Sequence, residues 1–315
     1  LRTAWRLVSA QSSASSGLAR DLLQTASVSR FARSLTALSA VAVAAASCQE
    51  HAPPGVAEMQ GDSTGAVPLW VTFRRDPKCE AAADCGWLLR ELNRHEAEIC
   101  VDAIDLDGAG LSEAMIPGVL GAPDGTVVLS GERRNSSFVA RQVFRGLPGA
   151  QWSPADLFVQ VAARPVCESG ACESGLVALN TDIDVLAPVV QLSAAEAPWL
   201  QTSWLEDRVQ RRSAVLAGRL LGDPGERIQR FEASQAFVPL PDRVGPCARP
   251  RLHGCAPGTV AVFGRDVDRC VIQTGCARPR SCRDLPPVCD QGYALRSWHE
   301  QPGCRAYACD AAFLP

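Results

Sequence analysis

The sequence predicts an α+β protein in three parts: an α/β domain, a helical connection and small disulfide-rich β modules. Three observations carry this. Residues 67–165 alternate short β-rich runs with apolar stripes at helical spacing, in the order β-α-β-α-β-β-α. Residues 166–245 add a long helical pattern, making this a mixed, mainly helical connecting region. Eight of the fourteen cysteines crowd into residues 247–309, within a Cys-rich segment spanning 246–315.

Composition sets the bounds. The 315 residues are 47% hydrophobic and 21% charged, so the chain can bury a core. Residues 1–47 hold five Arg against one acid, Asp21, leaving 26 basic against 33 acidic groups, net −7, in the remainder. That acidity gives no broad electrostatic footprint for a phosphate backbone, so no nucleic-acid partner is expected.

The first 47 residues read as an N-terminal extension and a signal peptide. Arg30 and Arg33 lead into the apolar run Leu35–Ser47, which is too short to span a bilayer and ends at Cys48. With Ala46-Ser47-Cys48 at its end, the stretch resembles a bacterial lipoprotein signal, although Ala45 stands where that family usually has Leu. The resemblance implies acylation of Cys48, a membrane-lipid partner through that anchor, and delivery to the bacterial cell envelope. Gln49 after the cysteine implies the outer membrane, and cleavage without lipidation implies secretion. Residues 1–27, rich in Ser, Ala and Arg and nearly free of acid, also fit an organellar presequence, but the second signal directly downstream makes a translation start at Val28 the more economical reading. Residues 48–66, with Pro53, Pro54 and several Gly, read as a flexible tether.

In 67–165, Pro68–Phe73 is the first strand. Asp76-Pro77 reads as the cap of a helix buried through Trp87, Leu88 and Leu92 and ending near His95. Ile99–Ile104 is the second strand, and a short helix around Leu111–Met115 leads to Pro117. A hairpin turns at Pro123-Asp-Gly125. Phe138, Val139, Val143 and Phe144 stripe another helix, and Leu157, Val159, Val161 and Ala162 a further one at 153–164. Cys100 falls in an apolar strand, which suits an inert buried thiol.

This order resembles the thioredoxin fold. The resemblance places Pro117 at the family's cis-proline position and Cys79 near the family's nucleophile, at the start of the first helix. It implies an envelope thiol–disulfide activity using Cys79 as the alternative function. Ala82 stands where that chemistry needs its second cysteine.

In the connecting region, Cys167 and Cys172 enclose four residues and can close a local bridge. Leu176–Val190 is strand-like, a helical pattern runs from Ser193 to about Gly222, and Glu226–Ala236 suits another helix. Phe237–Asp242 reads as a linker.

The last eight cysteines form a repeat. Cys247, Cys255, Cys270 and Cys276 are matched by Cys282, Cys289, Cys304 and Cys309, with fourteen residues between the second and third cysteine of each set. Each set reads as a small module with a strand between its second and third cysteines. No Cys-x-x-Cys occurs, so disulfides are expected and metal is not. Confining bridges to each module leaves three connectivities apiece. Asp105-x-Asp107-Gly108 starts like a calcium loop but lacks the later ligands and reads as a turn. No phosphate loop, nucleophile elbow or cofactor motif is present. The expected function is that of an exported, lipid-anchored envelope protein, a binding or structural module with an extracytoplasmic protein partner. A secreted hydrolase inhibitor is the third expectation, because small Cys-rich modules often fill that role.

Overall fold

In the computed structural model, the chain is described from residue 68 to 314, apart from 77–85, 95, 97, 163–165, 169–170, 174, 186–188, 193–196, 223–229, 244–245 and 283–284. The expected α/β domain and helical middle are not what these residues form. They build an antiparallel β-sheet body with two α-helices.

The first half runs β1 (Leu69–Arg75), β2 (Trp87–Glu91), β3 (Ile99–Val101), β4 (Ala103–Asp105), α1 (Ile116–Leu120), β5 (Val127–Arg134) and β6 (Ser137–Gly146). The second half runs β7 (Leu157–Val161), β8 (Val166–Glu168), β9 (Ala171–Glu173), β10 (Leu176–Ala178), β11 (Asp184–Val185), β12 (Val189–Gln191), α2 (Thr202–Gln210), β13 (Val215–Leu221) and β14 (Arg230–Leu240). With the β8–β9 hairpin set aside, the two orders are the same. The sheet reads β11-β10-β7-β13-β14-β6-β5-β1-β2-β3, with β12 joined to β14 and β4 joined to β6, both parallel. It is symmetric about the β6–β14 pair, so the body is an internal duplication.

The duplication is written in residues. Phe138-Val-Ala-Arg-Gln-Val-Phe144 on β6 matches Phe231-Glu-Ala-Ser-Gln-Ala-Phe237 on β14, and both Phe pairs are buried. Each copy has a bulge at a glycine facing the Ala of that motif, Gly131 opposite Ala140 and Gly218 opposite Ala233. A Cβ at Gly131 would lie 2.1 Å from the Val139 carbonyl oxygen, and one at Gly218 the same 2.1 Å from that of Glu232. Glycine is required there by close main-chain approach.

Two asparagines join the halves reciprocally. Asn93 and Asn180 both sit in the left-handed region, at φ 57°, just after β2 and β10. The Asn180 amide donates to the carbonyls of Trp70 (2.6 Å) and Leu92 (3.0 Å) and accepts from the Trp70 N–H (2.8 Å). The Asn93 amide donates to Phe158 (2.7 Å) and Leu179 (2.9 Å) and accepts from the Phe158 N–H (2.8 Å). Asn tolerates this backbone better than other side chains, and its amide supplies both donor and acceptor. Asn180→Ala is expected to cost about 3 kcal/mol in urea unfolding, because buried main-chain groups lose their partners. Asn93→Ala should cost a similar amount.

Several sequence expectations are corrected here. Trp87–Leu92 is strand and turn, not helix, and the stripes at Phe138–Phe144 and Leu157–Val161 are strands β6 and β7. Burial explains this. Trp70, Val128, Phe144, Phe158, Val215 and Phe237 pack on one side of the sheet, and Val71, Leu129, Phe138, Val159, Leu216 and Phe231 on the other. Strands buried on both faces lose the apolar–polar alternation and imitate a helical stripe. Of the helical pattern at 193–222, residues 202–210 form α2 while 215–221 form β13. Residues 230–236 lie in β14 rather than in a helix, and the expected linker at 237–242 continues it through Leu240.

Pro117 is corrected too. It lies in the first turn of α1, where a missing N–H costs nothing, and not at a strand entrance. With no α/β domain around it, the thioredoxin resemblance falls. Cys79 lies outside the described residues.

The C-terminal region matches expectation. β15 (Val260–Arg265) pairs with β16 (Val271–Ala277), and β17 (Tyr293–Gln301) with β18 (Cys304–Ala311), as two antiparallel hairpins. The first strand of each lies between the second and third cysteines of its module.

Candidate functional site

Both modules have the same connectivity, first cysteine to third and second to fourth. The bonds are Cys247–Cys270 and Cys255–Cys276 in one, Cys282–Cys304 and Cys289–Cys309 in the other. The consequence is geometric. The third cysteine lies at or next to the start of a hairpin's second strand and the fourth within two residues of its end, so the segment between the first two is tied beside that strand at two points. Pro250 in one segment, and Pro286 and Pro287 in the other, lack the N–H a ladder needs, so the segments stay outside the sheets. They expose Leu252 (72%), Leu285 (86%) and Val288 (91%), among the most exposed large apolar side chains of the described residues.

A buried ionic lattice fixes these modules to the body. Asp242, just beyond β14, accepts hydrogen bonds from Trp204 Nε1 (3.0 Å), Arg208 Nε (2.7 Å) and Arg269 Nη2 (3.1 Å). Arg269, from the turn of the first module, also donates through Nη1 to Asp310 of the second (3.2 Å). Arg265 grips Asp310 with two bonds, at 2.9 and 2.7 Å. Arg208 reaches Asp268 at 2.9 Å. Burial alone would lower the Arg208 pKa, but Asp242 and Asp268 outweigh it and raise it, so the guanidinium stays charged. The Arg269 guanidinium lies 5.4 Å from the centre of the Trp204 ring, which adds a cation–π contact. Arg–carboxylate pairs suit this role because their planar forks fix orientation as well as distance.

The second module is continuous with the main core. Ala311 and Leu314 belong to the same apolar cluster as Trp204 and Phe231. The Cys309 N–H donates to the Trp199 carbonyl (3.0 Å), and the Tyr293 hydroxyl donates to that of Pro148 (3.0 Å). Burial, with the Asp290 charge adding, pushes the Tyr293 hydroxyl up to about 12. A raised pKa stabilises the folded state while the group is neutral. This contribution is full below pH 10 and lost as pH rises towards 12. Urea titrations at pH 9–12 should show that loss, and Tyr293→Phe should remove it.

Duplication also repeats two cavities, one at each asparagine seam. One, of about 180 Å³, is lined by Thr72, Arg90, Asn93, Asp156 and Phe158 among others. The other, of about 600 Å³, has Gln160, Val177, Asn180 and Trp70 at the matching places. Asp156 is occupied structurally. Burial raises its pKa, but hydrogen bonds from Ser234, the Ser153 N–H and Arg219 outweigh it and lower the value. No catalytic pair faces either cavity among these lining residues.

The sequence-expected site residues are distributed as follows. The eight module cysteines each pair within their own module. Cys167 on β8 and Cys172 on β9 are backbone register partners. Cys48 and Cys79 lie outside the described residues. Cys100 is disulfide-bonded and so is not the inert thiol expected. Asp105 accepts from the Asp107 N–H (2.9 Å) in a turn, as read from the sequence. Among the described residues, no three metal-ligating side chains cluster and no helix is long and apolar enough to cross a membrane. The ionic lattice went unread because its members lie far apart in sequence. A signal does exist in hindsight: Asp268-Arg269-Cys270 and Cys309-Asp310 place charges beside bridged cysteines.

Fold and site together define a duplicated antiparallel β body bearing tandem disulfide-stapled modules, whose bridges are consistent with an extracytoplasmic protein. An uncharacterised protein of Dictyostelium discoideum is 24% identical over 210 residues, covering 62% of this chain and 72% of that protein. No family model matches the chain, and no solved structure matches it.

Proposed function

We propose that this chain is an exported cell-envelope protein, anchored to membrane lipid through Cys48, whose tandem modules bind an extracytoplasmic protein partner. The identical stapling of both modules is the observation that carries the reading. Four bridges in 63 residues support an oxidising compartment, and small modules need them because their own cores are slight. The acidic body and the tether at 48–66 support a soluble domain held off a surface, with the basic run before Leu35 supporting export. Attachment to the body through the ionic lattice lets the modules work as a fixed face, not as loose beads.

Metabolic labelling with palmitate tests the anchor. Label that disappears in Cys48→Ala is the expected result, and an unlabelled wild-type chain contradicts it. Secretion without lipid then becomes the reading, provided the thiols remain oxidised.

A further inference from the structure

We propose that residues 248–254 form a substrate-like segment that enters the active-site cleft of an arginine-specific extracytoplasmic endopeptidase, with Arg251 in its acidic specificity pocket and the Arg251–Leu252 bond left intact. This deepens the binding role proposed above and rests on it only for the compartment.

The segment is held at three points. Cys247 and Cys255 tie its ends to Cys270 and Cys276, at the two ends of β16. Between them, the Gln273 side chain accepts from the His253 N–H (2.6 Å) and donates to the His253 carbonyl (3.0 Å). The backbone immediately after Leu252 is therefore fixed before any partner arrives, which removes much of the ordering cost of binding. Inhibitors of proteases reach tight binding through interfaces of ordinary size, and preorganisation is a means to that end.

The side chains point to the partner. Residues 248–254 are all exposed, and Arg249 and Arg251 make no ion pair among the described residues. Arg280, in the related Arg-Pro-Arg stretch at 278–280, is instead bound to Glu300 at 2.7 Å. Of the two Arg–X bonds in the segment, Arg249–Pro250 resists cleavage because of its proline. Arg251–Leu252 alone presents an arginine followed by an accessible apolar residue. Charge favours the encounter as well: residues 246–315 carry nine Arg against six acids, while residues 48–245 carry 17 basic against 27 acidic groups. If the bond were cut, both new ends would remain tied by their disulfides and stay adjacent, which opposes release of product.

The test uses the purified oxidised full chain and trypsin inactivated at its nucleophile, so that cleavage elsewhere cannot intervene. Calorimetry should show binding at micromolar strength or tighter, competed by benzamidine. Arg251→Ala should weaken it about 100-fold, the loss of a central anchor, with an unchanged disulfide map. Arg278→Ala, outside the segment, should change it less than about 3-fold. Gln273→Ala should weaken binding while leaving benzamidine competition in place, separating bracing from contact. Absence of binding overturns the proposal, as does binding indifferent to Arg251 or to benzamidine. Because the protein is supplied already oxidised, such a failure leaves the export reading standing, and a failed palmitate experiment leaves this one untouched.

Discussion

Asp242→Asn is expected to lower stability by about 3–5 kcal/mol, the cost of breaking one side of a buried charge pair. Among the described residues, Asp242 is the one carboxylate that Trp204, Arg208 and Arg269 all meet. Its side chain is fully buried, and those of Arg208 and Arg269 are at most 4% exposed. An amide keeps the shape but removes the charge, so two guanidiniums lose a counter-ion where water cannot replace it. The Asn amide group must also present hydrogens towards donors. Urea unfolding followed by tryptophan fluorescence checks this, since Trp204 sits against the site. The exposed pair Arg74–Glu98 supplies the contrast. Both its side chains are about one-third exposed, and Arg74→Ala should cost less than about 1 kcal/mol. Equal effects for the two variants would mean that the lattice is not what holds the modules in place.

Removal of the Cys289–Cys309 staple from the second module should spread to the body, whereas removal of Cys255–Cys276 from the first should not. A bridge across 20 residues, such as Cys289–Cys309, constrains the unfolded chain by about 3 kcal/mol. Cys309 is fully buried and hydrogen-bonded to Trp199, the strand it sits on ends at Ala311, and Ala311 and Leu314 both belong to the main core. Cys289→Ser/Cys309→Ser is therefore expected to shift the whole unfolding transition by about that amount. Cys255→Ser/Cys276→Ser loosens an exposed segment joined to the body at its far end. It should leave the transition of the body within about 1 kcal/mol while making residues 248–254 sensitive to proteolysis. Non-cooperative loss of the second module alone would contradict the continuous core.

The two ends of the chain differed in how readily they could be read. In the modules, spacing of the cysteines was sufficient. Matched intervals placed the strands at β15 and β17 and confined the bridges, leaving the choice among pairings to three dimensions. In the body the sequence misled for a physical reason. Phe138, Ala140, Val143 and Phe144 are all buried because β6 has core on both sides, so the period of two vanished and a helix was expected. The repeat that would have corrected it is short. Phe-x-Ala-x-Gln-x-Phe recurs at 138–144 and 231–237, and its meaning depends on Gly131 and Gly218 facing Ala140 and Ala233, the third residue of each copy. Asn93 fell inside the expected helix ending near His95 and Asn180 inside the strand-like run at 176–190, and neither stood out, because their partners belong to the opposite half. The charged lattice was hidden similarly: Asp242, Arg269 and Asp310 meet only after three separate elements have packed.

The central claim is that two stapled modules are built alike and held oxidised on the duplicated body. Proteolytic peptide mapping of the native protein, without reduction and with free thiols first blocked, tests it most directly. The expected result is four cross-linked pairs, Cys247–Cys270, Cys255–Cys276, Cys282–Cys304 and Cys289–Cys309, with none of these eight sulfurs carrying the blocking group. Blocked thiols among them, bridges running between the modules, or zinc bound in proportion to the protein would contradict it.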